Sequence, residues 1–413
     1  MNYIKKSINY SPTNLVITII LLFFIFYKSI VVQISYDEAY SFLQYTYTKN
    51  FFNIGLANNH LLNTLLIYPF SLLDLSELFL RLPNILSGVF YIFISLKLSE
   101  HSKYKILTFS ILTLCPYLIE FFSIARGYGI STFFILAGLY LFINETSYWK
   151  FLAPICFLLA SFSINIMIIF LWMFVFINFK TYFLNINFKK LTFVSILLFF
   201  SAGIIFTVFA VTSEGKPIYG IDNLSISHLL LSSFGIVELY KVNNIFIQVL
   251  FSFIFFLPIL FFRINDDISK RLTLISFGSL FLAFLLPLVF EKPFPQLRIL
   301  LPFLPGLLIS ISITLDSLFN RYEKLSRNLS YLLIIFFSFN MISSLDLDSY
   351  YDWKAPYERS HFTEFTFDKV SLDCKFTFEE IPKGAIADYY HLLASEKNTS
   401  YCDRNSGKVI FNE

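Results

Sequence analysis

Charge is what this sequence has least of. Only 14% of its 413 residues are Asp, Glu, Lys or Arg, against about 25% in soluble domains, and that shortfall excludes a water-facing surface for a chain of this length. The formal net charge of +3 is too small to call for a nucleic-acid partner. Internal repeats, duplicated halves and a soluble nucleotide-binding domain are also lacking. No small-x-small cleavage pattern follows the first apolar run, Leu15 to Ile34. That run is about the ~20 residues a membrane span needs, longer than the roughly 7–15 of a signal-peptide h-region. It reads as a retained first span behind Lys5 and Lys6.

What is present is apolar: 56% hydrophobic residues and a mean hydropathy of +0.68. Plausible spans are 14–34, 84–99, 105–122, 127–144, 191–212, 245–262, 272–290, 298–316 and 329–345. The block 151–178 is short for two crossings and long for one, and Ser161, Ser163 and Asn165 lie at its middle. It reads as a hairpin of two half-spans. The expected fold is an all-α polytopic membrane protein with about 11 transmembrane segments, a helical first outer loop (35–83) and a small α+β C-terminal appendage. The expected domains are 1–345 and 346–413. In the tail, Phe376–Glu380 alternates, Ala385–Glu396 looks helical and Lys408–Phe411 is a candidate strand. Cys374 and Cys402 leave both a disulfide and two free thiols open.

Lys and Arg set the orientation. With the N-terminus in the cytoplasm, the cytoplasmic segments hold Lys5, Lys6, Lys97, Lys103, Lys105, Lys150, Lys180, Lys189, Lys190, Arg263, Lys270, Arg271, Arg321, Lys324 and Arg327. The hairpin reading is what keeps every later loop on the consistent side. Loops 35–83, 213–244 and 291–297 and the tail then face outward.

The chemistry-bearing residues fall on that outer face. Ser35-Tyr36-Asp37-Glu38-Ala39 follows span one, and adjacent carboxylates at a span's mouth are costly unless solvated or used. On a helix, His60 shares a face with Asn63 and Thr64, with Leu61, Leu62, Leu65 and Leu66 opposite, which suits an interfacial helix. Glu120 lies inside an apolar run and needs a cation, a metal or a proton; Arg126 is the nearest cation in sequence. Arg81 precedes Pro83, and Arg298 opens a later span where a forked guanidinium can grip phosphate. Lys216 and Lys241 can attract an anionic headgroup. A carboxylate base with cationic phosphate grips beside a bilayer matches glycosyl transfer from a polyprenyl-phosphate sugar.

Four features resemble the GT-C superfamily of membrane glycosyltransferases, in the branch of protein O-mannosyltransferases and lipid A aminoarabinose transferases. They are Tyr36-Asp37-Glu38-Ala39, Asn59-His60, Leu80-Arg81-Leu82-Pro83 and Ala125-Arg126-Gly127-Tyr128. The resemblance covers roughly 30–140. Where that family often has His-Pro in the first outer loop, Leu61 follows His60 here. The resemblance implies a lipid-linked sugar donor, inverting transfer and a catalytic Asp, which maps to Asp37. Glu38 and His60 are then expected as orienting groups. Arg81, Glu120, Arg126, Tyr128, Arg298 and Lys216 are expected to bind substrate. A divalent metal, Mg or Mn, is a candidate at Asp37 and Glu120. The acceptor would be a glycan, lipid or protein, and the location a bacterial inner membrane with site and C-terminus periplasmic. A lipid-linked glycan flippase or transporter and a glycan polymerase or ligase are the rival readings.

Overall fold

The computed structural model describes residues 10–52, 59–144, 149–180, 245–290, 297–344, Tyr389, 401–403 and 408–410. Span 191–212, the loop with Lys216 and Lys241, and the pairing of Cys374 with Cys402 lie outside the described residues, as do the tail readings at 376–380 and most of 385–396.

The described chain is an all-α polytopic bundle with one small strand pair. Helix α1 is Pro12–Val31, started by a proline in its first turn. A short outer helix α2 (Tyr36–Ser41) runs on as a π-helical turn, Phe42–Tyr47, and α3 is Leu61–Ser71. Then come α4 (Glu77–His101), α5 (Lys105–Thr113), α6 (Pro116–Phe122), α7 (Gly127–Ile143), α8 (Trp149–Ser163) and α9 (Ile168–Ile177). Beyond the undescribed stretch lie α10 (Ile245–Leu260), α11 (Asp267–Phe290), the turn α12 (Leu297–Leu300), α13 (Leu304–Phe319) and α14 (Glu323–Ser344). Strands β1 (Tyr401–Asp403) and β2 (Lys408–Ile410) pair antiparallel, Cys402 opposite Val409.

Among the described residues, four helices are long and apolar enough to cross a bilayer: Pro12–Val31, Glu77–His101, Asp267–Leu285 and Arg298–Phe319. A fifth candidate, Lys105–Thr113 with Pro116–Phe122, bends by 62°. Pro116 causes the break: it has no N–H to give back to the preceding turn, and it holds Cys115 extended at φ −108°, ψ 114°. Shorter apolar helices among the described residues, of 10–17 residues, include Leu61–Ser71 and Gly127–Ile143. Span two also begins earlier than its apolar run, so Arg81 lies within α4 rather than before it.

The block 151–178 is a hairpin. Ser163 and Ile164 break it, and the two arms run back along each other: Trp149 meets Phe174 at 6.0 Å between ring centroids, and Phe157 meets Phe170 at 6.0 Å. Arms of 15 and 10 residues reach about 22 and 15 Å, short of the ~30 Å hydrocarbon core. Helices α11 and α13 approach closely, since a Cβ on Gly306 would lie 2.6 Å from Ser276 Oγ.

Helix α1 separates two polar ends. Its first turn bonds to the 99–105 turn, through Ser11 N to Glu100 Oε1 (3.2 Å) and Asn14 Nδ2 to Ser99 Oγ (3.2 Å). Asp316 at the foot of α13 joins that end by accepting from Ser102 Oγ and Lys103 N. The last turn of α1, about 30 Å away over its 20 residues, carries the candidate site. From the tail, Tyr389 packs edge-on against Phe42 at 6.0 Å, and its hydroxyl donates to Leu75 O at 2.6 Å.

Candidate functional site

The acidic pair folds by a local rule. Ser35 caps α2 and Glu38 stands three residues on, so each side chain takes the other's backbone N–H: Glu38 N to Ser35 Oγ at 3.3 Å and Ser35 N to Glu38 Oε2 at 2.8 Å. Both carboxylates lie in the first turn, where the helix dipole favours them. Glu38 also receives the Arg81 fork, Nε to Oε1 and Nη2 to Oε2, both 2.9 Å, and Ala125 N at 2.6 Å. Arg81 donates further to the carbonyls of Ser29 (3.0 Å), Val32 (2.6 Å) and Gln33 (3.2 Å), which α1 leaves unmet at its C-terminal end. One buried pair thus ties α1, α2, α4 and the 123–126 turn together. Burial alone would raise the Glu38 pKa. The charge and hydrogen bonds of Arg81, with the backbone N–H groups of Ala125 and Ser35, more than offset that and hold it below the usual carboxylate value.

Asp37 faces different cations. Its Oδ2 lies 2.9 Å from Arg298 Nη1 and 3.6 Å from Arg126 Nη2. Arg126 Nη1 donates to Asp37 O (3.1 Å) and Ser41 Oγ (2.6 Å), which fixes the guanidinium against α2. Arg126 is fully buried, whereas the Arg298 side chain is 20% exposed, so the site opens on the Arg298 side. Asp37 thus lies between two guanidiniums. The shortest contact from each guanidinium falls on Oδ2.

His60 is the N-cap of α3 and is buried. Its Nδ1 lies 2.8 Å from Ser163 O, at the hairpin tip. A carbonyl only accepts, so Nδ1 carries the proton. Burial, then the charge of Arg126, then that of Arg298, hold the imidazole pKa well below its ordinary value against the opposing hydrogen bond, so the ring is neutral. The ring packs against Tyr128 at 5.0 Å, and Tyr128 also meets Phe121 at 4.9 Å and the Arg126 guanidinium at 6.0 Å. Asparagines seat the start of α3: Asn63 Nδ2 donates to Ala125 O, Asn84 Nδ2 to Asn63 Oδ1, and Asn59 Oδ1 accepts from Thr64.

Gly127 lets the hairpin tip reach the imidazole. A Cβ there would lie 2.6 Å from Ser163 O and 2.8 Å from His60 Cβ. Gly127→Ala is therefore expected to lower stability by about 1–3 kcal/mol, read as a lower thermal midpoint. An unchanged midpoint would mean that tip and ring are not held this closely.

No protein-family model matches this chain, and no curated protein matches it. The crystal structure of ArnT from Cupriavidus metallidurans in the apo state is similar to it. That match covers 77% of this chain and 62% of that one, at 11% identity and a TM-score of 0.48. The chain therefore spans less than two thirds of that structure's length.

Of the residues singled out from sequence, Asp37, His60, Arg126, Tyr128 and Arg298 come together. Others make their contacts within the fold. Arg81, expected to bind substrate, donates through Nε, Nη1 and Nη2 to Glu38 and the end of α1. Glu38, expected as an orienting group, has both oxygens taken by Arg81 and backbone N–H groups. Glu120 pairs with Lys28 at 3.1 Å, both buried, a cation further away in sequence than Arg126. A metal at Asp37 and Glu120 does not fit these donors: one carboxylate faces two guanidiniums, the other an ammonium, and no group of three or more His, Cys, Asp or Glu among the described residues could hold one. Lys28 and Ser41 have no place in the sequence reading, and Ser163 enters it only as part of the middle of the hairpin. Only Lys28 carried a signal, as a lone cation in an apolar run that required a buried partner.

Proposed function

We propose that this chain is an integral membrane glycosyltransferase that moves a sugar from a polyprenyl-phosphate donor to a hydroxyl of a glycan, lipid or protein acceptor. The observation that carries the reading is the cluster of Asp37, Arg126 and Arg298: a carboxylate beside two guanidiniums, at the end of α1 away from the basic turns. Guanidinium forks take phosphate oxygens in pairs, and a carboxylate takes a proton from an attacking hydroxyl.

The donor phosphate draws Arg298 away from Asp37 Oδ2, so donor binding releases the base. Asp37 then accepts the acceptor's O–H proton as that oxygen attacks the anomeric carbon. The carbon–oxygen bond to phosphate breaks, and the polyprenyl phosphate leaves with the electron pair, its charge held by Arg126 and Arg298. Attack opposite the leaving group inverts the anomeric centre. Residues 1–345 form the transferase domain and 346–413 a small non-cytoplasmic appendage, and a bacterial inner membrane with the site periplasmic is the matching location.

The test uses the full chain in lipid vesicles with labelled polyprenyl-phosphate sugars and acceptor extract from a strain lacking the gene. A new glycosidic bond, with loss of the matching glycan in that strain by mass spectrometry, is expected. Passage of the intact lipid-linked sugar across the bilayer without a new bond would establish the flippase reading instead.

A further inference from the structure

The imidazole of His60 has a second nitrogen that the fold does not use. Nε2 is buried and has no hydrogen-bond partner among the described residues, and neither has the Oγ of Ser163, the residue whose carbonyl holds the ring. With the proton on Nδ1, Nε2 offers only a lone pair. A buried acceptor left unmet is costly. Here the cost is not relieved by repacking, because Tyr128, Gly127 and the hairpin tip hold the ring in place. Such an acceptor is matched by a neutral O–H. An anion would be repelled by the lone pair and drawn to the guanidiniums of Arg126 and Arg298, which lie near enough to depress the ring's basicity.

We propose that His60 Nε2 is a recognition point for a sugar hydroxyl, accepting a hydrogen bond from the sugar carried on the phosphate that Arg126 and Arg298 grip. The proposal rests on the transferase reading above and adds the residue that distinguishes one donor sugar from another. His60 is not a second base: the burial and the two guanidiniums that keep it neutral also make it a poor proton acceptor. It selects by geometry, since a hydroxyl of the wrong configuration leaves Nε2 unmet. The asparagine network at the start of α3 and the tie to Ser163 O hold its position.

The experiment measures binding to the full chain in lipid nanodiscs. The probes are polyprenyl phosphate without sugar and the same lipid bearing glucose, mannose or galactose. Wild-type protein should bind at least one sugar-bearing form more tightly than the bare lipid. His60→Asn keeps a donor for Ser163 O and withdraws the acceptor at the place of Nε2. It should lose about tenfold on the preferred form and nothing on the bare lipid, with His60→Gln intermediate. In wild-type protein labelled with 15N histidine, the preferred form should shift the Nε2 resonance and the bare lipid should not, a readout that needs no variant to fold. Equal affinity of His60→Asn and wild type for every form, or an unmoved Nε2 resonance, would overturn the proposal alone. Failure of wild type to bind any of the lipids would overturn the transferase reading and this proposal with it.

Discussion

Asp37→Asn is expected to transfer sugar at no more than about one-hundredth of the wild-type rate, while inserting in the membrane and binding the donor at least as well as wild type. Asparagine fills the same space and still accepts a hydrogen bond, but it takes no proton. It also removes the charge that Arg298 and Arg126 neutralise at 2.9 and 3.6 Å. The negative charge that competes with phosphate for the two guanidiniums is then gone, so bare polyprenyl phosphate should bind more tightly. Arg298→Ala should do the opposite, raising the donor KM while leaving more of kcat, because one phosphate contact is lost and Asp37 is freed. The pair of variants separates base from grip in one steady-state series. Full transfer by Asp37→Asn would remove Asp37 from the chemistry.

Arg81→Met should be the most destabilising substitution in the outer region, at about 3–5 kcal/mol. It leaves Glu38 buried without its countercharge and strips three carbonyls at the end of α1 of their donor. The expected signs are aggregation on extraction and a lower thermal midpoint. Arg81→Lys should recover little, since an ammonium cannot supply the two-pronged contact to Glu38 and the three carbonyls at once. Adding Glu38→Gln to Arg81→Met should recover part of the loss, because one of the two buried carboxylates that face Arg81, Glu38 and Glu77, is neutralised. A double variant no more stable than Arg81→Met would show that the carbonyls, and not the carboxylate, carry the cost.

Glu38 and Arg81 also show how far reading from residue types reached. The Ser35-to-Glu38 capping spacing and the Arg81-Pro83 motif were visible in the chain, and both residues are central to the outer region. Their role was read as chemical because a charged residue near a span looks the same whether it holds a substrate or another part of the fold. Glu120 shows the same limit: its need for a partner was legible, but the partner, Lys28, lies 92 positions away, on a helix that only packing brings alongside.

By itself, then, the sequence determined the apolar helices, the hairpin at 151–178, the polar face of α3 and the set of residues able to carry chemistry. Those follow from hydropathy, periodicity and local capping, which depend on neighbours in the chain. The tertiary structure decided which cation each carboxylate meets: Arg81 for Glu38, Lys28 for Glu120, Arg126 and Arg298 for Asp37. In a low-dielectric interior every charge must find a partner, and which partner is near depends on how the helices pack. That choice gave two of the acidic candidates partners within the fold and set Asp37 between two guanidiniums, one of which lies over Tyr128, the ring His60 packs against.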